Sequence, residues 1–393
     1  MANGIQDFDP SLPESFDTAH DLFADLRARC PVAHTTEMGG FWALTRYEDV
    51  KRAASSPETF ITSAQNGGPK VAFTGRRPPL HLDPPEHTPY RRTLNPLLSL
   101  AHSEQFAPVA RRHARALLAP LVAAGGGDIC SEYASYLPVQ VFGEWMNVPP
   151  PWVEPLHQSG RAFILAVNMN DPEAMKATSL KLYDMARELI ALRKAEPRDP
   201  ALDITSALLE ARHNGEPLPD ELIVGMVRQV LVVGIVAPTV LMGSIAIHLS
   251  RDQALQAQLR ADPANVPAAV EEFLRLYTPY RGFARTAVED VEFGRRTIPA
   301  GEAIALVYAS ANRDEDVFPN GCEFILNRPN IAAHLAFGRG PHNCPGVHLG
   351  RMEVRVMLEE LLAATTGFDL AGPVVPARWP EIGAISVPLR FAA

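Results

Sequence analysis

Residues 336–346 read Ala-Phe-Gly-Arg-Gly-Pro-His-Asn-Cys-Pro-Gly. Gly338, Gly340 and Gly346 let the backbone take positive φ and approach a flat partner closely. A helix-forming stretch follows at once, which sets Cys344 near a helix N-terminus. There the dipole and the free N–H groups favour a thiolate. A thiolate so placed can serve as an axial iron ligand; a structural cysteine buried in a turn fits the same residue. Glu272 and Arg275 stand at i,i+3 in a helical pattern, so their charges share a face. Buried, they must be part of a paired network; exposed, they are a weak surface pair. Glu292 and Arg295 repeat that spacing in a β-like stretch. His87 and Arg91, at i,i+4, share a helical face suited to an anionic edge.

The pattern Phe-x-x-Gly-x-His-x-Cys-x-Gly, filled here by Phe337, Gly340, His342, Cys344 and Gly346, resembles the haem-binding loop of the cytochrome P450 family. The resemblance extends along the chain from about residue 15 to 390. It implies haem b as cofactor, with Cys344 as proximal thiolate, Phe337 shielding the sulfur, and His342 meeting a propionate. It implies that Arg328, in Phe-Ile-Leu-Asn-Arg-Pro, completes a buried network with Glu272 and Arg275. It gives His87, Arg91 and Arg285 to the propionates. By the same likeness the substrate pocket is lined by Phe73, Phe163, Val167, Val233, Ala237, Phe283 and Ile382. These are apolar, which suits a small apolar or aromatic substrate. Arg76, Arg77 or Arg281 would hold a substrate carboxylate or serve solvated and structural roles.

One region departs from the family. Its oxygen-activating helix carries Ala/Gly-Gly-x-Asp/Glu-Thr; here the run is Val233-Gly-Ile-Val-Ala-Pro-Thr239. Val236 stands for the acid and Ala237 for the alcohol. Thr239 comes two residues late, about 200° round an ideal helix, and only a local bulge would bring it inward. Pro238 lacks an N–H, so the Gly234 carbonyl loses its i+4 donor and becomes free to hold water. Gly234, Ala237, Pro238 and Thr239 are therefore the candidates for proton delivery. Peroxide as oxidant is a second possibility, and a non-enzymatic haem sensor or interaction protein a third.

The elements that must position these groups follow from pattern. Residues 87–250 are mostly helical, 253–276 give two more helices, 284–308 turn β-like, and a strong helix spans about 347–364. Residues 12–35 suggest one or two short helices, Gly40–Arg46 a strand and turn, 47–56 a helix, 61–85 a long loop, and the tail from Phe368 strand. This predicts one mainly helical domain with a small β region over residues 1–393, without a fused reductase, rather than a βαβ alternation. Residues 230–249 carry no formal charge and are long enough to span a bilayer. Gly234, Pro238, Gly243, Ser244 and His248 instead suit a helix buried in a soluble protein.

The 393 residues are 47% hydrophobic and 21% charged, enough for a large core. A net charge of −9 argues against non-specific nucleic-acid binding. The four cysteines form no CxxC, which excludes a zinc knuckle and suits a reducing, cytoplasmic compartment. The N-terminus lacks a basic start and an apolar run, so no signal peptide is expected. No GxGxxG or ferredoxin cysteine set occurs. Electrons are expected from a separate ferredoxin or flavodoxin docking near Arg91, Arg92, Arg339 and Arg351.

Overall fold

The computed structural model describes residues 5–10, 15–64, 75–169 and 171–392. Phe73, expected in the pocket, lies outside the described residues. The centre is a helix over Asp220–Arg251. It packs against helices Tyr136–Trp145, Pro172–Ala195 and Val347–Ala364 and against strand Ala384–Ser386. Its most apolar eighteen-residue window is 83% buried by the rest of the protein. Such a helix has no solvent face to make polar, which explains its lack of amphipathic periodicity. Side chains bind the helix starts: Asp171 accepts from Ala174 N–H, Asp203 from Ser206 N–H and Asp252 from Leu255 N–H. Each satisfies a donor that the first turn leaves free.

The helices expected at 47–56, 253–276 and 347–364 form as Tyr47–Ser55, Gln253–Ala261, Val266–Leu276 and Val347–Ala364. Residues 12–35 differ: helix Thr18–Arg29 is followed by strand Val32–Thr35. That strand exists because Val32 and Thr35 find Leu44 and Phe41 opposite them. A mixed sheet orders its strands as Val32–Thr35, Phe41–Leu44, Ala303–Leu306, Phe283–Ala287 and Phe60–Ile61. The only parallel pairing within it joins Phe41–Leu44 to Ala303–Leu306. This sheet carries Arg285 on the same strand as Phe283. The Gly125-Gly-Gly127 break contains a strand, Gly126–Asp128, paired with residues 388–390.

Candidate active site

The 336–346 loop is held by its own backbone. The Cys344 N–H donates to the Phe337 carbonyl at 2.7 Å. Gly340 has φ +73°, and a Cβ there would stand 2.3 Å from the Ala54 carbonyl oxygen, so only glycine fits. The loop ends where helix Val347–Ala364 begins. There the Gly346 N–H bonds the Cys344 sulfur. Burial pushes the Cys344 thiol up, while that N–H and the charges of Arg91 and Arg351 act toward thiolate. The Arg351 guanidinium lies 4.8 Å from the centre of the Phe337 ring.

Two arginines and two imidazoles face this loop, with Asp83 the carboxylate bonded to them. The rings of His87 and His342 have centroids 4.6 Å apart. His342 Nε2 lies 3.3 Å from Asp83 Oδ1. Asp83 already accepts from Thr62 N–H, Thr62 Oγ1 and Ser63 N–H. Although burial raises it, bonds from His342, Thr62 and Ser63 hold the Asp83 carboxyl well below the usual range. His87 Nε2 is buried with no hydrogen-bond partner among the described residues. Burial, then His342 and Arg91, bring His87 down to about 4. Arg285 is buried, and its guanidinium donates to the carbonyl of its neighbour Ala284. Arg91 donates to the Asn343 side-chain oxygen at 2.9 Å and to the Asn343 carbonyl. Four basic groups around one saturated carboxylate, with an orphaned imidazole nitrogen, suit a doubly anionic flat ligand above the cysteine. The residues fit haem.

Glu272, Arg275 and Arg328 meet as the spacing suggested, and all three are buried. Arg275 Nη2 and Nε reach the two Glu272 oxygens at 2.7 and 2.9 Å. Arg328 Nε reaches Glu272 Oε1 at 3.0 Å. The surplus positive charge is spread over the carbonyls of Asn312, Pro319, Asn320, Gly321 and Glu323. The network therefore clamps the irregular segment that leads into the cysteine loop. Arg295, in the other Glu-x-x-Arg, lies in the Gly294 turn between short strands and belongs to no such network among the described residues.

On the central helix, Val233 is 44% exposed although the helix is otherwise enclosed. Ala237, one turn on, shares its face. Gly234 turns the other way: a Cβ there would stand 2.1 Å from the Phe142 ring. The helix is unbroken through Pro238, so no bulge swings Thr239 inward. The Thr239 hydroxyl donates to Ile235 O at 2.7 Å and lies 3.1 Å from Ala134 O. Thr239 and Val236 instead line a cavity of about 200 Å³ with Ile164, Leu165, Ile235 and Ile385. Phe163 and Val167 are half-buried, and the Phe283 ring packs 4.9 Å from that of Tyr280. Ile382 is a correction: it is 1% exposed, in a core cluster with Phe41 and Trp379. Ile385, three residues on, lines the cavity beside Thr239.

The remaining expected residues divide between solvent and pairs. Arg92 and Arg339 are exposed. Arg351 is tied to Glu271, which also meets His334 at 3.1 Å. Burial raises the Glu271 carboxyl, but bonds from His334 and Arg351 hold it at about 2. Sequence reading assigned no role to Asp83 or Glu381. Glu381 is buried with Oε2 unpartnered among the described residues, and burial brings it up to about 7 from an ordinary 4.5, against the pull of Arg281. The folded state thus holds this proton more tightly than the unfolded chain. Its contribution to stability is full below pH 4.5 and is lost as pH rises through 7. Glu381→Gln is expected to be more stable than the parent by about 3 kcal/mol at pH 8 and to match it at pH 4, read by denaturant unfolding.

The cytochrome P450 family model matches residues 155–365. Cytochrome P450 107B1 of Saccharopolyspora erythraea is 31% identical, covering 92% of this chain and 91% of its own. Linalool 8-monooxygenase of Pseudomonas putida is 31% identical, covering 89% of this chain and 90% of its own. The structure of cytochrome P450 CYP109Q5 from Chondromyces apiculatus superposes with TM-score 0.87 at 28% identity, covering 98% of each chain. The chain belongs to the cytochrome P450 family.

It is accordingly an enzyme of the P450 monooxygenase class, on the mainly helical P450 fold. P450 enzymes bind haem through a cysteine thiolate, act on small molecules and take electrons from redox partner proteins. In this chain Val236 and Ala237 carry no acid or alcohol, and the Thr239 hydroxyl is bonded to backbone carbonyls.

Proposed function

We propose that this P450 inserts one oxygen atom into a small apolar or aromatic substrate, by hydroxylation or oxidative O-dealkylation. Haem b, held by Cys344, supplies the activation of oxygen when bound. The observation that carries the reading is the Cys344 loop, with its Gly346 N–H on the sulfur, facing Arg91, Arg285 and two imidazoles, one of which has an orphaned buried nitrogen. His87, His342, Arg91 and Arg285 would hold the propionates, and Phe337 and Gly346 would shape the space around the sulfur. Val233 and Ala237 would present an apolar wall to the substrate, with Phe73, Phe163, Val167 and Phe283 as further candidates. The relative named for linalool oxidation, and a Mycobacterium marinum neighbour in complex with pseudoionone, support a small, mostly hydrocarbon body.

The chain's own residues can manage protons without an acid–alcohol pair. Pro238 leaves the Gly234 carbonyl without its helical donor, an acceptor for an ordered water. Thr239 has its hydroxyl committed to backbone carbonyls. Thr239→Ala is therefore expected to keep the ratio of product formed to NADH consumed within about twofold of the parent, since an already bonded hydroxyl has little to lend the reaction. A large fall in that ratio would return the threonine to the mechanism. The same missing pair favours a second reading, in which peroxide serves as oxidant.

Electrons would come from a separate ferredoxin or flavodoxin in the cytoplasm, docking where Arg92 and Arg339 lie exposed. The deciding experiment is a carbon monoxide difference spectrum of the reduced protein, followed by turnover with a ferredoxin system and with peroxide. A thiolate-type spectrum with turnover supports the enzyme reading. A thiolate-type spectrum without turnover in either system supports a haem sensor.

A further inference from the structure

The long helix carries one more buried charge. Arg228 is 0% exposed. Its guanidinium donates to Ser179 Oγ at 3.1 Å and contacts Gln229 Oε1 at 3.4 Å, while Nε has no partner among the described residues. It lies 4.9 Å from the Phe163 ring centre and 5.8 Å from that of Tyr183. Arg77 adds a second guanidinium. One of its nitrogens is 3.2 Å from His81 Nε2, and its Nε is buried and unpartnered. The Tyr183 hydroxyl, also buried, lacks a partner. The charged groups that act on Arg228 are Arg77, unfavourably, and Tyr183. Burial, then Arg77 and Arg228, bring His81 down to about 3, so it is neutral beside them.

The other wholly buried arginines are arranged differently. Arg193 meets Asp203 at 2.9 Å, Arg275 meets Glu272, and Arg281 donates to the carbonyls of Glu381 and Ala377. Arg77 and Arg228 form no ion pair among the described residues, and the adjoining stretch 65–74 contains no Asp or Glu. A wholly buried charge with a half-buried like charge beside it and no counter-charge is costly unless an anion joins them. Two guanidiniums and a free hydroxyl converging from a loop and two helices match the donor set that a carboxylate takes.

We propose that Arg77, Arg228 and the Tyr183 hydroxyl form a carboxylate-binding subsite, so that the substrate is a small organic acid. This rests on the monooxygenase reading and narrows its substrate class. Along the helix, Val233 stands about 7.5 Å beyond Arg228 and Ala237 about 13.5 Å beyond it. Arg228 leaves the helix about 140° round from Val233 and about 180° round from Ala237, on the side where Phe163 and Tyr183 pack. Phe163, one of the expected pocket residues, and Tyr183 supply apolar walls beside the two guanidiniums.

The test uses the haem-loaded protein with 4-ethylbenzoate, its neutral isostere 4-ethylbenzamide, and chloride, each by calorimetry and by the Soret shift. The acid is expected to bind about tenfold or more tightly than the amide. Arg77→Gln and Arg228→Met are each expected to remove that preference. Without ligand, Arg228→Met is expected to melt at or above the parent temperature, because it removes an uncompensated charge; a merely structural arginine would show a fall. Equal affinity for acid and amide, or acid binding indifferent to both substitutions, would overturn the proposal. Chloride competing with the acid at comparable affinity would make this an inorganic-anion site and sink the substrate assignment. A protein that binds the acid but gives no thiolate-type spectrum fails the haem reading and not this one.

Discussion

Cys344→Ser is expected to abolish the thiolate-type spectrum of the reduced, carbon monoxide-bound protein and to take turnover to background. The fold gives no reason for the chain to collapse with it. The loop around Cys344 is held by backbone bonds and by Gly340 against Ala54, which serine leaves in place. Far-ultraviolet circular dichroism is therefore expected to match the parent. Serine keeps a polar atom at the helix N-terminus but offers iron an oxygen rather than a thiolate. A variant that retained the parental spectrum would remove Cys344 from the metal, and with it the proposed oxygen chemistry.

Glu272→Gln is expected to have the largest effect on stability, a loss of about 3–5 kcal/mol by chemical denaturation. The amide leaves two buried guanidiniums facing each other without a counter-charge. It also weakens the bond from the Ile325 N–H, which Glu272 Oε1 accepts at 3.0 Å. Removing Arg275 and Arg328 as well is not expected to restore the parent, because the carbonyls of Asn312, Pro319, Asn320, Gly321 and Glu323 would then lose donors. Haem retention is expected to fall in parallel, since the segment so clamped precedes the cysteine loop. Parental stability in Glu272→Gln would mean that the carbonyls alone satisfy the two arginines.

The sequence was most legible where chemistry dictates spacing. The cysteine loop and the Glu272–Arg275 pair were readable because a ligand must be presented and buried charges must meet. Arg328 needed the family likeness, since nothing local ties it to a residue 56 positions away. Helix Asp220–Arg251 was readable from composition, and the helical wheel already turned Thr239 aside. The wheel does not reveal what the hydroxyl does; that depends on Ala134, on another element. Ile382 and Ile385 show the opposite limit. Ile382 precedes strand Ala384–Ser386 and Ile385 lies within it, and local pattern does not fix which side chain enters the core and which a cavity. Arg228 was equally opaque. Its partners come from residues 77, 163, 179 and 183, and no local pattern says that these converge.

The mixed sheet bears on how the molecule is made. Strand Phe41–Leu44 has one early neighbour, Val32–Thr35, but its other edge is filled by Ala303–Leu306, and Phe60–Ile61 waits for Phe283–Ala287. During synthesis strands Phe41–Leu44 and Phe60–Ile61 leave the ribosome with these partners more than two hundred residues from being translated. Until then those edges are open templates for pairing with another nascent chain. The parallel contact joins residues 42–44 to 304–306, so its loop entropy is met late and these strands are among the last parts to become native.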